Sequence, residues 1–176
     1  TSNFLINRHT DNQNVALDYQ LDTASPLVNA QAVLYHNKTN MDESRLSDGR
    51  SDSTKLDTLG LNLNNRSDFE AVSLLYGIDG YHDDFSADRG GTSRPTPPDA
   101  SLDVSGEFVQ ATVPLIKDVL RTELGVRHDS FETEADNLSS SRDDSAVSPS
   151  AALIWQADKC LELAVGYDDA FRAPSA

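Results

Sequence analysis

Several stretches of the sequence alternate apolar and polar residues with a period of two, and this alternation constrains the fold more than any other feature. In one of them, Leu120, Leu124 and Val126 share one face of an extended chain, whereas Arg121 and Arg127 share the other. Successive side chains of a strand point to opposite faces, so such a strand has one apolar wall and one polar wall. The same pattern occurs at 14–22 and 160–168.

The β-forming segments predict an all-β fold of about eight antiparallel strands. A helical alternative would place six glycines inside its elements, each at a cost of about 1 kcal/mol relative to alanine. The predicted strands lie within 14–22, 27–37, 55–64, 69–82, 102–115, 119–129, 148–156 and 160–168.

The connections between these strands are of two kinds, which alternate along the chain. Short turns are predicted at 23–26, 65–68, 116–118 and 157–159, and long polar loops at 39–54, 83–101 and 132–145. One edge of the sheet should therefore carry tight turns and the other long loops. The acidic segments 40–53, 81–91 and 131–145 are interpreted as solvated loops.

This combination of features is typical of transmembrane β-barrels of the outer membrane, with short periplasmic turns and long extracellular loops. The polar wall includes charged residues, and the strands often exceed the roughly 9 to 11 residues that a bilayer requires. We therefore predict that residues 1–176 form part of one large β-barrel domain, whose strands extend beyond the membrane and whose remaining strands are absent from this chain. Aromatic residues near strand ends are candidates for interface girdles, namely Tyr19, Tyr35, Tyr81, Trp155, Tyr167 and Phe171. The alternative is that they are scattered core residues.

Charge and composition exclude several classes of function. The formal net charge of −15 argues against nucleic-acid binding, which relies on clustered Lys and Arg. No catalytic order, phosphate loop or metal-ligand spacing occurs, so an enzyme is not expected. The single cysteine, Cys160, excludes an internal disulfide. The chain does not begin with Met, and we expect it to be an internal piece with any targeting segment upstream.

The closing stretch carries a family resemblance through Phe171, Arg172, Ala173 and Pro174. This Phe-Arg-Ala-Pro box, together with the ordered strands before it from about Asn12 to Ser175, resembles TonB-dependent outer-membrane receptors, and within them the haem and haemoglobin receptor branch. In that branch the box precedes a loop with a haem-ligating His and an Asn-Pro-Asn-Leu box, neither of which is in this chain.

The resemblance implies a barrel of about 22 strands in the outer membrane of a Gram-negative bacterium, with a plug in its lumen that is absent from residues 1–176. It implies import of haem, a haem protein or another iron complex, with energy from TonB, which would contact the missing N-terminal region. Outer-membrane lipid is the other expected partner. No covalently bound cofactor and no resident metal are expected, and haem is the candidate transported ligand.

The same resemblance suggests ligand-binding residues at the outer mouth. Phe171, Arg172, Ala173 and Pro174 would shape the mouth, and Arg172 would pair either with a carboxylate such as a haem propionate or with a loop acid in a structural corner. None of His9, His36, His82 and His128 matches the ligand position of the family. His82, beside a predicted long loop, is retained as the one candidate ligand-binding histidine.

Three alternatives stay open at this level. The first is a receptor for a siderophore or another TonB-dependent ligand. The second is a passive outer-membrane barrel without a plug. The third is a soluble β-structured binding domain whose acidic loops face solvent.

Overall fold

The structure is a computed structural model, and it describes residues 5–91, 93–136 and 141–170. These residues form one eight-stranded antiparallel sheet in which every strand pairs with its neighbours in chain order. The strands are β1 (Ile6–Asp22), β2 (Asn29–Arg45), β3 (Ser51–Asp68), β4 (Ser73–Gly90), β5 (Ala100–Ile116), β6 (Leu120–Ala135), β7 (Arg142–Asp158) and β8 (Leu161–Asp168). The all-β class and the number of strands predicted from the sequence are confirmed.

The sheet is open among the described residues, because β1 and β8 lie at its two edges and do not pair with each other. A meander of this kind leaves one unpaired row of backbone groups at each edge, which a complete barrel would close. The described part of the chain contains no helix with the length and apolarity needed to cross a membrane.

The strands are much longer than the sequence indicated, and the predicted long loops are correspondingly wrong in extent. β2 and β3 are joined by residues 46–50, and β4 and β5 by residues 91–99. Most of 39–54, 83–101 and 132–145 therefore lies in strands. These polar segments pair as regularly as the apolar ones, as in Asp42 opposite Ser53, because a strand with water on both faces keeps its hydrogen bonds without any apolar alternation.

The turn edge of the sheet consists of connections 23–28, 69–72, 117–119 and 159–160, and the opposite edge is called the loop edge. The turn predicted at 65–68 is wrong, because these residues complete β3 and the turn follows at 69–72. That turn is closed by the Phe69 N–H, which donates to the Val72 carbonyl at 2.8 Å. β-bulges interrupt the register near the turn edge, between Pro114 and Ile116 and between Gln156 and Asp158.

Asp118 has a left-handed backbone in the turn between β5 and β6, with φ of 59°. The turn is closed by the Val119 N–H, which donates to the Ile116 carbonyl at 3.0 Å. Glycine adopts this conformation without steric cost, whereas a β-branched residue does not. We expect Asp118→Gly to change the free energy of unfolding by less than about 1 kcal/mol, and Asp118→Val to lower it by about 1 kcal/mol or more. Urea unfolding of the complete protein reconstituted in lipid measures both, and equal effects of the two changes would contradict the strain argument.

The sheet has an apolar face and a polar face. In each pair of strands, the register places residues of the apolar face opposite one another. Leu17 pairs with Leu34, and Leu34 pairs with Leu61, so these three side chains lie in one row of the apolar face. The alternate residues of that face form an apolar band, which covers 15–21 in β1, 30–34 in β2, 59–63 in β3, 74–78 in β4, 109–113 in β5, 120–126 in β6, 147–155 in β7 and 161–167 in β8.

The apolar band crosses the strands obliquely. In the row of Leu61, the band ends at β3, because the next residues of the row are Gly80 on β4 and Ser105 on β5. In the row of Leu124, the band continues through Ala151 to Tyr167 in β8. The band therefore shifts along the paired rows from β1 to β8 and stays near the turn edge in every strand, as expected for a level band on strands that tilt by the roughly 35–45° of a barrel.

Candidate functional site

The apolar band faces outward with nothing packed against it. Leu17 is 66% exposed and Val165 is 69% exposed, and among the described residues Ile154 is the single hydrophobic residue that is buried. A soluble domain would place such a surface in a core, because contiguous exposed apolar area of this size marks an interface. The longest stretch, 147–155, extends about 27 Å along its strand at roughly 3.4 Å per residue. A tilt of roughly 35–45° reduces its height to about 19–22 Å, close to the band of about 25 Å that faces lipid in outer-membrane barrels.

The polar face carries a charged network at the centre of β4, β5 and β6. Arg127 donates from both terminal nitrogens to the Asp79 carboxylate, at 2.7 and 2.9 Å, and from Nε to Asp129 at 2.8 Å. Asp79 and Asp129 both pair in register with Gly106, which lies between them on β5. The guanidinium of Arg127 occupies the space that a Cβ of residue 106 would take, so the network depends on glycine at this position.

Tyr35 lies over Gly60 on the same polar face. The two residues pair across β2 and β3, and the phenol ring fills the space that a side chain at residue 60 would occupy. Tyr81 pairs with Gly60 from β4 and so lies on the polar face as well. The prediction of Tyr35 and Tyr81 as girdle residues is therefore wrong. Tyr19, Trp155 and Tyr167 lie in the apolar band, where an interface role remains open to them.

At the loop edge, the connection 91–99 folds onto the polar face. Arg94 donates to both oxygens of Asp52 on β3, at 3.1 and 2.5 Å. Arg89 donates to the Pro95 carbonyl at 3.1 Å. The hydrogen bonds from Arg94, with the nearby charges of Arg89 and Arg50, hold the pKa of Asp52 below its usual value.

We expect Asp52→Asn to release connection 91–99 and to make it several-fold more sensitive to proteinase K added to the complete protein in detergent. The pKa of Asp52 is lowered, so the Arg94 contact is present above the ordinary aspartate pKa of 3.8 and is lost as the pH falls through the lower folded value. Asp48→Asn is the matched control, because Asp48 pairs with Arg45 and Arg50 in the neighbouring connection. Equal cleavage of connection 91–99 in the Asp52→Asn and Asp48→Asn variants would show that the contact between Arg94 and Asp52 does not hold this connection in place.

Three of the four histidines lie against carboxylates on the apolar face, beyond the band toward the loop edge. His36 Nε2 lies 2.6 Å from Asp57, and His128 Nδ1 lies 3.3 Å from Glu107. His82 Nδ1 lies 2.8 Å from Asp103, and the hydrogen bond from this carboxylate raises the pKa of His82. The ligand-binding role of His82 stays a prediction, and its position is on the opposite side of the sheet from Arg127.

The other predicted site residues, Phe171, Arg172, Ala173 and Pro174, lie outside the described residues. Cys160 is exposed in the turn between β7 and β8. The Arg127 network and the contacts of Arg94 were not anticipated from the sequence. The one signal for them was that charged residues occupy alternate positions on the polar face of the strands. The register between strands must be known before these residues can be recognised as a cluster.

These features define a class of protein: the wall of an antiparallel barrel with a lipid-facing band on one side and a polar, charged lumen face on the other. The family model "TonB dependent receptor-like, beta-barrel" matches residues 1–176. The chain belongs to the β-barrel family of TonB-dependent receptors. This is a family of transport receptors rather than enzymes, and its barrels lie in the outer membrane of Gram-negative bacteria.

Among curated proteins, the chain is 32% identical over 177 residues to heme/hemopexin utilization protein C of Haemophilus influenzae strain 86-028NP. The match covers 98% of this chain and 25% of that protein. The protein of the same name from strain Rd is also 32% identical, and 24% of it is covered. The chain thus spans about a quarter of the length of these relatives.

Solved structures share the fold at low sequence identity. The copper transporter OprC superposes with a TM-score of 0.81 at 17% identity, over 93% of this chain and 30% of that one. The FrpB iron transporter of Neisseria meningitidis gives 0.78 at 19% identity, over 95% and 30%. BauA, the ferric preacinetobactin receptor of Acinetobacter baumannii, gives 0.71 at 15% identity, over 90% and 30%. These likenesses support the fold alone.

Proposed function

We propose that this chain is a wall segment of an outer-membrane receptor that imports haem or another iron-bearing ligand with energy from TonB. The observation that carries the proposal is the two-faced sheet, because its exposed apolar band suits lipid and its charged polar face suits a lumen. Family membership supports the import function. In this arrangement the loop edge faces the exterior and the turn edge faces the periplasm.

The choice of haem as ligand draws on two further observations. The curated relatives at 32% identity are named heme/hemopexin utilization proteins. The Phe171–Pro174 box resembles the one found in haem and haemoglobin receptors. A siderophore or another metal complex is the second candidate, since the structural neighbours include a copper transporter and a ferric siderophore receptor.

Residues 1–176 would form part of one β-barrel domain, with further strands and a plug contributed by the rest of the receptor. TonB would contact the receptor through a segment outside this chain, and outer-membrane lipid would cover the apolar band. The soluble-domain alternative fits poorly with the exposure of that band. A passive barrel would share the wall but would require neither a plug nor TonB.

The test uses the complete receptor gene in a Gram-negative host that lacks its own haem receptors. We expect the receptor to support uptake of iron-labelled haem, and uptake to be abolished when the TonB gene of the host is deleted. Uptake that persists without TonB would favour a passive barrel. Uptake of ferric siderophores in place of haem would replace the ligand and leave the receptor class intact.

A further inference from the structure

Five arginines converge at the loop edge on the polar face of β1 to β4, although the chain as a whole has only 14 basic residues against 29 acidic ones. Arg8 on β1, Glu43 on β2, Asp52 on β3 and Arg89 on β4 lie in one continuous row, each paired in register with the next. The other three arginines flank this row: Arg45, Arg50 and Arg94.

The arginine cluster is defined as Arg8, Arg45, Arg50, Arg89 and Arg94, and its side chains make ion pairs with acids of the same strand ends. Arg8 pairs with Glu43 at 2.5 Å, and Arg94 pairs with Asp52. Arg45 and Arg50 both lie against one carboxylate, Asp48, at 3.4 and 2.9 Å. These ion pairs join four of the five guanidinium groups to Glu43, Asp48 and Asp52.

Arg89 and Arg94 are the members best placed to meet a further anion. The Nη1 of Arg89 donates to the Pro95 carbonyl, a neutral acceptor, and no carboxylate of the described residues lies within ion-pair distance of Arg89. Arg94 reaches the row from connection 91–99 by bonding Asp52. Guanidinium groups held by neighbouring contacts are already oriented, so binding a carboxylate costs them little side-chain entropy.

The apolar face of the same strand ends has the opposite charge. Asp42, Asp57 and Asp88 lie there, on the side that continues from the apolar band. An anion entering the lumen from outside would therefore meet positive charge at the mouth, whereas the outer wall repels it. Such a local field raises the rate at which the anion is captured and orients the anion as it approaches.

We propose that the arginine cluster binds the carboxylate groups of the imported ligand at the outer mouth of the lumen. This inference rests on the proposed function and adds the part of the ligand that this chain recognises. Arg89 and Arg94 each donate to a carboxylate oxygen, and Asp52 yields Arg94 to the incoming group. The porphyrin or metal centre of the ligand then lies deeper in the receptor.

The test compares iron protoporphyrin IX, which has two free carboxylates, with its dimethyl ester, in which both are neutral. Each is titrated by absorbance into the purified complete receptor in detergent. We expect the wild type to bind the diacid at least roughly tenfold more tightly than the diester, the usual scale for hydrogen bonds between charged groups. The Arg89→Gln/Arg94→Gln double variant should lose this preference while its affinity for the diester is unchanged.

Arg121→Gln is the matched control, because Arg121 lies on the same polar face at the turn edge, paired with Glu162 at 3.2 Å. It should retain the preference for the diacid. Equal binding of diacid and diester by the wild type, or a preference that survives in the double variant, would overturn the inference and leave the proposed function standing. Binding of neither porphyrin by the wild type would overturn the haem assignment and the inference together.

Discussion

Leu61→Arg is expected to lower the free energy of unfolding of the complete receptor in a lipid bilayer by roughly 2 to 4 kcal/mol, the cost of a cationic side chain on the lipid face near the midplane. Leu61 lies at the centre of the apolar band of β3 and is 43% exposed. Its neighbours in the row are Leu34 and Gly80, so no carboxylate is opposite it to pair with the new charge.

Asn62→Arg is the control for this change, because residue 62 is adjacent in sequence and lies on the polar face. The residue opposite it on β4 is Asp79, whose carboxylate would accept a hydrogen bond from an introduced guanidinium. Urea unfolding in vesicles of defined lipid, followed by the shift of the folded barrel on unheated gels, measures both variants. Similar losses at 61 and 62 would mean that the two faces are not distinguished by lipid and water.

Gly106→Val is the second change with a large expected effect, a loss of roughly 1 to 3 kcal/mol in the same assay. The new side chain would occupy the place of the Arg127 guanidinium. Asp79 and Asp129 would then lose the hydrogen bonds that they accept from it and would repel each other across β5. Leaving half-buried charges without partners is the main source of the cost.

Two controls separate this mechanism from a general intolerance of strand glycines. A Cβ at Gly125 would meet mainly the Ser150 hydroxyl, a group that can rotate away, so Gly125→Ala should cost little. In an Arg127→Met background, Gly106→Val should add much less than it does alone, which a double-mutant cycle reports as a coupling energy. Additive effects of the two changes would contradict the steric link between Gly106 and Arg127.

The sequence predicted the faces of the strands well where one side contacts lipid. In β1, β6 and β8 the alternation assigns Leu17, Leu124 and Val165 to one wall, as found in the structure. The same reasoning could not find the strand ends near the loop edge. Water contacts both faces there, so an apolar side chain is not favoured on one face over the other. The period of two in the sequence therefore disappears.

The register between strands supplied what single strands could not. Val33 and Leu34 are both apolar, so β2 alone does not show on which side Tyr35 lies, and the pairing of Leu34 with Leu61 decides it. Likewise, Arg127 and Asp79 are 48 residues apart and meet because β5 offers a glycine between them. Such contacts depend on long-range pairing, which local pattern does not encode.

The measurement that tests the account most directly is the accessibility of spin labels along β3 in the complete receptor reconstituted in lipid. Single cysteines would be placed at 59–64, with Cys160 replaced by serine. The account predicts that labels at 59, 61 and 63 are exposed to oxygen dissolved in the bilayer, and that labels at 60, 62 and 64 are exposed to a water-soluble nickel complex. Accessibility to nickel at all six positions, or the absence of alternation, would contradict the assignment of the apolar band to lipid.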